Sequence, residues 1–303
     1  MEMEKELEAY RRHLELRNFS PSTITVLYYL VRRYMAFCAA RGSNPSEARE
    51  EDLMEYLAEL RAQNMRPVCI RKTFSGISGY FKWLQRQNRI TQNPIPALQE
   101  VYLREYKPDN RQRQIISIQD AARMISATMR VRDRAILYLL FTTGIRRNEL
   151  VTLDVVDVDF EKMEVHLKPT AKRSNKTVFI TPECARTIKK WLKVREGMRT
   201  KSPALFISSK NLRLSPSGVD VKVAEAGERV GLHDPKSLRL EDKFTPHCCR
   251  HWLVTHLLRA GMRREYVKWL RGDVMKEAID IYFHIDPEDV RKEYLAYVPQ
   301  LGV

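Results

Sequence analysis

The sequence predicts a mainly α protein of two units, the first all-helical and the second a mixed α+β unit with a small antiparallel sheet. Three observations carry this. Apolar residues recur at helical spacing through the first hundred positions. A polar residue followed by Pro marks helix starts at Ser20-Pro21, Thr181-Pro182, Ser215-Pro216 and Thr245-Pro246. Between residues 156 and 180 the helical period gives way to three short runs rich in β-branched residues. At 303 residues and 44% hydrophobic, the chain is long enough for two cores.

From the N-terminus, Ser20-Pro21 starts a helix in which Ile24, Leu27, Val31, Tyr34 and Cys38 share a face until Gly42. A second helix spans residues 50–64 on Leu53, Tyr56, Leu57 and Leu60. A third spans 66–88, pairing Ile70, Phe74, Ile77, Phe81 and Leu84 with the cations Arg66, Arg71, Lys72, Lys82 and Arg86. Asn93-Pro94-Ile95-Pro96 reads as the end of the helical unit. The first unit is therefore expected over residues 1–103. Residues 104–113 carry Arg104, Lys107, Arg111 and Arg113 around Pro108 and read as a basic linker.

The second unit is expected over 114–303. Ser117-Ile118-Gln119-Asp120 has capping-box form. A helix over 131–143 is broken by Gly144, and 145–153 resumes helically. Strands are expected over 156–160, 163–167 and 177–180, with the last turn at 169–175. Pro287, Glu288 and Asp289 open a tail helix over 287–298. Its apolar stripe, Val290, Tyr294, Leu295 and Val298, needs a partner surface.

Net charge is +15 with a pI near 9.6, which favours a polyanionic partner, because neutralising phosphates releases condensed counterions. No apolar run is long enough to span a bilayer, and Met1-Glu2-Met3-Glu4 is no signal segment. Five cysteines, Cys38, Cys69, Cys184, Cys248 and Cys249, show neither CxxC nor Cys/His ligand spacing, so a reducing, cytoplasmic setting is expected. There is no Gly-rich phosphate loop.

Phosphoryl transfer needs a nucleophile, charge stabilisation at the phosphate, and an acid for the leaving oxygen. No carboxylate cluster suited to two metals is evident, but cations stand in its place. Residues 142–150 read Thr-Thr-Gly-Ile-Arg-Arg-Asn-Glu-Leu, with Arg146 at a helix start where backbone N–H groups also favour an anion. Residues 245–251 read Thr-Pro-His-Cys-Cys-Arg-His, so His247 and Arg250 share a helix face. Lys172 sits in the β-turn, with Lys168, Arg173 and Lys176 as rivals in the same hairpin. Tyr282 lies in Ile279-Asp280-Ile281-Tyr282-Phe283-His284, with Tyr266, Tyr294 and Tyr297 as rivals.

This set resembles the tyrosine recombinase (phage integrase) family, whose signature runs Arg…Lys…His-x-x-Arg…His/Trp…Tyr. The resemblance covers nearly the whole chain. It implies a helical, SAM-like core-binding domain followed by a catalytic domain, together forming a C-shaped clamp on double-stranded DNA. It implies that Tyr282 attacks the phosphate to form a 3′-phosphotyrosyl bond. Arg146 and Arg250 would bind the non-bridging oxygens, Lys172 would protonate the departing 5′ oxygen, and His247 would assist. Glu149 would orient Arg146. Arg71, Lys72, Lys82, Arg86, Arg104, Lys107, Arg111, Arg113 and Arg173 are candidate DNA contacts. No cofactor, metal or ATP is implied; the partners would be specific DNA sites and three further copies of the chain, with room for an accessory directionality factor near the nucleoid.

The sequence departs from the family at Leu270-Arg271-Gly272-Asp273, where the pattern usually ends in His or Trp. An ionised Asp273 accepts hydrogen bonds and cannot donate them. The expected activity is integration or excision of a mobile element. The alternatives are an Xer-type chromosome-dimer resolvase, a type IB topoisomerase and an inactive DNA-binding regulator.

Overall fold

The computed structural model describes residues 2–47, 49–104, 114–169, 175–272 and 285–302. The chain divides into two compact units, Met1–Asn110 and Arg111–Val303, each with its own core. Lys107, Arg111, Arg113, Lys172, Arg173, Asp273 and Tyr282 lie outside the described residues.

The first unit is helical throughout: α1 (Glu2–Leu16), α2 (Pro21–Ala40), α3 (Glu50–Ala62), α4 (Pro67–Arg86) and α5 (Ile95–Tyr102). Ser20 caps α2 by accepting the Thr23 N–H at 3.3 Å. The helical stripes read from the sequence converge in one core of Val31, Tyr34, Leu53, Leu57, Ile70, Phe74, Ile77 and Phe81. Two elements were not expected individually. The highly charged α1 contributes Leu7, Tyr10 and Leu14 to that core. And the unit does not end at Asn93-Pro94-Ile95-Pro96, because α5 begins there. The Asn93 side chain accepts the Ile95 N–H at 3.1 Å, and Pro96 falls in the first turn, where a missing N–H costs nothing. Ile95 and Leu98 are fully buried.

In the second unit, α6 (Ile118–Ser126) and α7 (Val131–Thr143) precede α8 (Arg147–Thr152). Three strands follow: β1 (Val158–Asp159), β2 (Glu164–His166) and β3 (Thr177–Phe179). They form one antiparallel sheet in sequential order, with Val165 opposite both Val158 and Val178. The sheet agrees with expectation, but its first strand is shorter. Residues 155–157 form a 3₁₀ turn, closed by the Asp157 carboxylate accepting the Asp154 N–H at 2.8 Å. Then come α9 (Pro182–Glu196), α10 (Pro216–Arg229), α11 (Pro246–Ala260), α12 (Arg264–Arg271) and α13 (Pro287–Tyr297). Each polar-Pro pair sits at a helix start. Thr181 and Ser215 accept the Cys184 and Gly218 N–H groups at 3.2 and 3.1 Å.

The middle of this unit is α7, buried from Ala135 to Thr143 along its length. It packs against α9 and α11. Its last turn is satisfied from within: the Thr142 and Thr143 hydroxyls donate to the Tyr138 and Leu139 carbonyls at 2.8 and 2.5 Å. Cys184, Cys248 and Cys249 are packing residues in the surrounding core.

The tail helix is where sequence leaves most to the structure. The sequence leaves its apolar stripe to its own domain or, as the family resemblance favours, to a neighbouring chain; Val290, Tyr294 and Val298 are buried in the core of their own unit. The Tyr294 hydroxyl donates to the Thr142 carbonyl at 2.8 Å, and Leu295 stays exposed. Beyond α13, the Leu301 and Gly302 N–H groups donate to the Glu183 carboxylate at 3.3 and 3.2 Å. A stripe too narrow to stand alone is covered by the nearest apolar surface, which α11 and α12 supply, with Phe179 of β3 against the Tyr294 ring. Tyr294→Ala is therefore expected to destabilise the second unit by roughly 3–5 kcal/mol, as for other buried aromatics. Urea unfolding followed by tryptophan fluorescence checks this, and a midpoint equal to wild type would contradict the packing described.

Candidate active site

The loop leaving α7 turns at Gly144, whose φ of +59° is the left-handed conformation that favours glycine. A second constraint acts at the same residue. A Cβ there would sit 3.1 Å from Leu253 Cδ2 and 3.7 Å from Arg250 Cγ, both on α11. Gly144 thus reverses the chain and lets α11 approach the end of α7. Its carbonyl then accepts from Arg250 Nη1 at 2.7 Å, while Arg250 Nη2 donates to the Arg271 carbonyl at 2.6 Å. The Arg250 guanidinium is buried, 6% exposed, so these carbonyls replace water for a charge that burial would otherwise penalise heavily.

Two residues on, Arg146 is the N-cap of α8. Glu149, one turn into the helix, accepts the Arg146 backbone N–H at 2.7 Å through Oε2 and Arg146 Nη1 at 2.9 Å through Oε1. The carboxylate is buried, while the Arg146 side chain is one-third exposed. Glu149 therefore anchors Arg146 at both backbone and guanidinium, as its place in the sequence implies. Arg146 Nε and Nη2 keep donor capacity that no described residue takes up.

Arg146, Arg250 and His247 line one open cleft of about 730 Å³, with Ile145, Arg147, Asn148, Asp220, His233, Phe244 and Pro246 among the other walls. His247 is exposed in the first turn of α11. Its ring stands edge-on to His251, with centroids 4.6 Å apart. The two boxes, about a hundred residues apart in sequence, thus face one cavity. Its acid, Asp220, is ion-paired with Arg147. Such a cleft is built to bind an oxyanion and spread its charge over fixed donors.

The structure also sorts some of the rivals. Lys168 is bound to Asp154 at 2.5 Å and lies 3.7 Å from Asp157. That hydrogen bond raises the Lys168 pKa, and with Arg213 it lowers that of Asp154. Tyr294 spends its hydroxyl on the Thr142 carbonyl, and burial pushes its pKa well above the ordinary value. Tyr266 is buried beneath the Arg263 guanidinium.

In the first unit, Arg71, Lys72, Lys82 and Arg86 are all exposed along α4. Arg104 is exposed and pairs with Glu100 at 3.2 Å. Sequence reading overlooked two further residues. His13, in the last turn of α1, and Arg17, just beyond that helix, line a hollow of about 300 Å³ with Lys82, Arg86 and Trp83, floored by Ser75, Ser78 and Gly79. Burial first, then Arg17 and Arg86, hold the His13 imidazole below its usual pKa. The i, i+4 spacing of His13 and Arg17 was the available signal, but it did not reveal which helix they would face. His233 was overlooked too, because no motif surrounds it.

Two family patterns match the chain. That of the Phage integrase family covers residues 110–289, and that of the phage integrase N-terminal SAM-like domain covers 7–90. Tyrosine recombinase XerC of Herpetosiphon aurantiacus is 26% identical over 289 residues, spanning 93% of this chain and 91% of that protein. The integrase of transposon Tn1549, solved with circular intermediate DNA, superimposes with a TM-score of 0.70 at 16% identity, covering 95% of this chain and 98% of that one. A lambda integrase dimer bound to a COC′ core site gives 0.67 at 16% identity, covering 94% and 98%. At such identities the two structures speak for the fold.

The crowding at Gly144 yields a quantitative expectation. Gly144→Ala must hold an L residue at positive φ and press its methyl on Leu253, costing about 1–3 kcal/mol. Gly231 also has a positive φ, +76°, but open space around it, so Gly231→Ala pays the backbone part alone. Paired denaturation curves check this, and equal losses would show that the approach to α11 is not tight.

Proposed function

The chain belongs to the phage integrase family and is a tyrosine site-specific recombinase, and we propose that it cleaves and rejoins duplex DNA through a 3′-phosphotyrosyl bond to Tyr282. One observation carries the reading: the Gly144–Arg146–Glu149 turn and the His247–Arg250 helix line a single cleft and are tied together by the Arg250–Gly144 hydrogen bond.

In this mechanism the Tyr282 oxygen attacks the phosphorus and the bond to the 5′ oxygen breaks. Arg146 and Arg250 hold the two non-bridging oxygens as charge builds on them. Lys172 gives its proton to the departing 5′ oxygen; the engagement of Lys168 with Asp154 favours Lys172 for that role. His247 donates a hydrogen bond or relays a proton at the same phosphate. A free tyrosine has a pKa near ~10, so nearby cations must favour its ionised form. Rejoining is the same step reversed by a 5′ hydroxyl from the partner strand. The bond energy is kept in the phosphotyrosine, which is why no ATP is required.

Arg71, Lys72, Lys82, Arg86, Arg17 and His13 are the proposed contacts of the first unit with the DNA backbone, joined by Arg104, Lys107, Arg111, Arg113 and Arg173. The working species is proposed to be a tetramer on two sites, integrating or excising a mobile element. A second reading, resolution of chromosome dimers, is favoured by the near full-length similarity to a protein named XerC. Covalent capture of genomic DNA separates the two: element ends support integration, and a single chromosomal locus supports resolution.

Two outcomes test the chemistry. With nicked duplexes of randomised centre as substrate, Tyr282→Phe is expected to bind DNA normally yet form no SDS-stable adduct; an undiminished adduct refutes the assignment. Cleavage is expected to survive EDTA, and loss of either Arg146 or Arg250 to cost roughly 3–4 kcal/mol in the chemical step. A substrate with a 5′-bridging sulfur needs no acid, so it is expected to restore cleavage by Lys172→Ala; failure to do so moves the acid elsewhere.

A further inference from the structure

Among the residues lining the cleft, His233 has no task in the mechanism above. We propose that His233 is a hydrogen-bond donor to the scissile phosphate, supplying the N–H that an ionised Asp273 cannot. The inference deepens the recombinase reading and rests on it.

The position of the ring is built. His233 follows α10, and with Phe244 it closes the base of the loop over residues 234–243. Its Nδ1 lies 3.0 Å from the Phe244 N and 3.2 Å from the Phe244 O. Gly227 makes room for the pair: a Cβ there would meet His233 Cβ and Phe244 Cβ, each at 3.1 Å. Phe244 itself is fully buried and packs against Phe141 of α7. The ring is thus tied to the core on one side and lines the cleft with Arg146, His247 and Arg250 on the other.

Those two contacts govern the remaining nitrogen. When Nδ1 accepts the Phe244 N–H, the neutral ring carries its proton on Nε2. When the ring is protonated, Nδ1–H donates to the Phe244 carbonyl and Nε2 again carries a proton. The shorter contact, Phe244 N–H to Nδ1 at 3.0 Å, needs the Nδ1 lone pair and so selects the neutral tautomer with its proton on Nε2 over the one that would donate from Nδ1 to the Phe244 carbonyl; no described residue accepts from that Nε2–H. An imidazole held this way is set up to meet an anion. Arg250, which lines the same cleft, is itself held by the Arg271 carbonyl at the end of α12.

Asn and Gln separate this role from a merely structural one. Asn puts its amide oxygen near the Nδ1 position, so it still accepts the Phe244 N–H but falls short of Nε2. Gln reaches the Nε2 position with an N–H. The readout is the single-turnover rate of the Tyr282 adduct at saturating DNA, on a nicked duplex captured by the wild-type protein. His233→Asn is expected to slow it about 100-fold, as for loss of one fixed donor to an oxyanion, with DNA affinity unchanged. His233→Gln is expected to retain most of the rate. A wild-type rate in His233→Asn overturns the proposal. So does a His233→Gln as slow as His233→Asn, because an N–H returned to the Nε2 position would then restore nothing. A wild-type protein that forms no adduct with any duplex overturns the recombinase reading itself, an outcome visible before either variant is made.

Discussion

A buried guanidinium must be surrounded by acceptors or it will not stay buried. In this chain that condition falls on Arg250, and two backbone carbonyls from remote parts of the second unit meet it. One belongs to Gly144, which explains the left-handed turn after α7 and the absence of a side chain facing Leu253. The other belongs to Arg271, at the end of α12. Arg250 therefore fixes three chain segments at once while lining the cleft. Were it an ordinary surface cation, neither the turn nor the end of α12 would need its present conformation.

Much of this was legible in the sequence, for identifiable reasons. Helix starts at residues 21, 182, 216 and 246 were readable because a hydroxyl before Pro both caps and presets the backbone. The pairing of Arg146 with Glu149 came from the family resemblance, and their three-residue separation lets a single helical turn satisfy it. That His247 and Arg250 share a cleft with Arg146 needed the family signature, because no local rule joins positions a hundred residues apart. Three things escaped. The helix α5 hid behind two prolines, because Asn93 supplies a cap from outside the expected helix. The surface that covers the tail stayed open between its own unit and another chain, because sequence gives the width of an apolar stripe but not what covers it. His233 escaped because its significance lies in a ring position set by Gly227 and Phe244, which are distant signals in sequence.

The two units divide the work by the placing of charge. On α4, exposed cations stand at the two ends of the helix, with Ser75, Ser78 and Gly79 between them. On the proposed reading, small residues there would let a nucleic acid strand come close, and Arg17 just beyond α1 would extend the positive surface. These contacts are side chains on a helix face, suited to positioning a backbone rather than to chemistry. In the second unit, Arg146 is anchored by a buried carboxylate and Arg250 by two carbonyls. Positioning tolerates flexible lysines; transition-state stabilisation requires donors already held in place.

The pairing of Arg147 with Asp220 has a consequence for handling the protein. With that acid neutralised by its own neighbour, the rest of the cleft is lined by Arg146, Arg250 and two imidazoles. Such a surface draws small tetrahedral anions as readily as it draws a phosphodiester. On the proposed reading, buffer chemistry thus becomes part of any measurement: phosphate or sulfate would occupy the seat of the scissile phosphate, whereas chloride at equal ionic strength would mainly screen it. Apparent affinities for DNA will differ between such buffers even where the Debye length is the same.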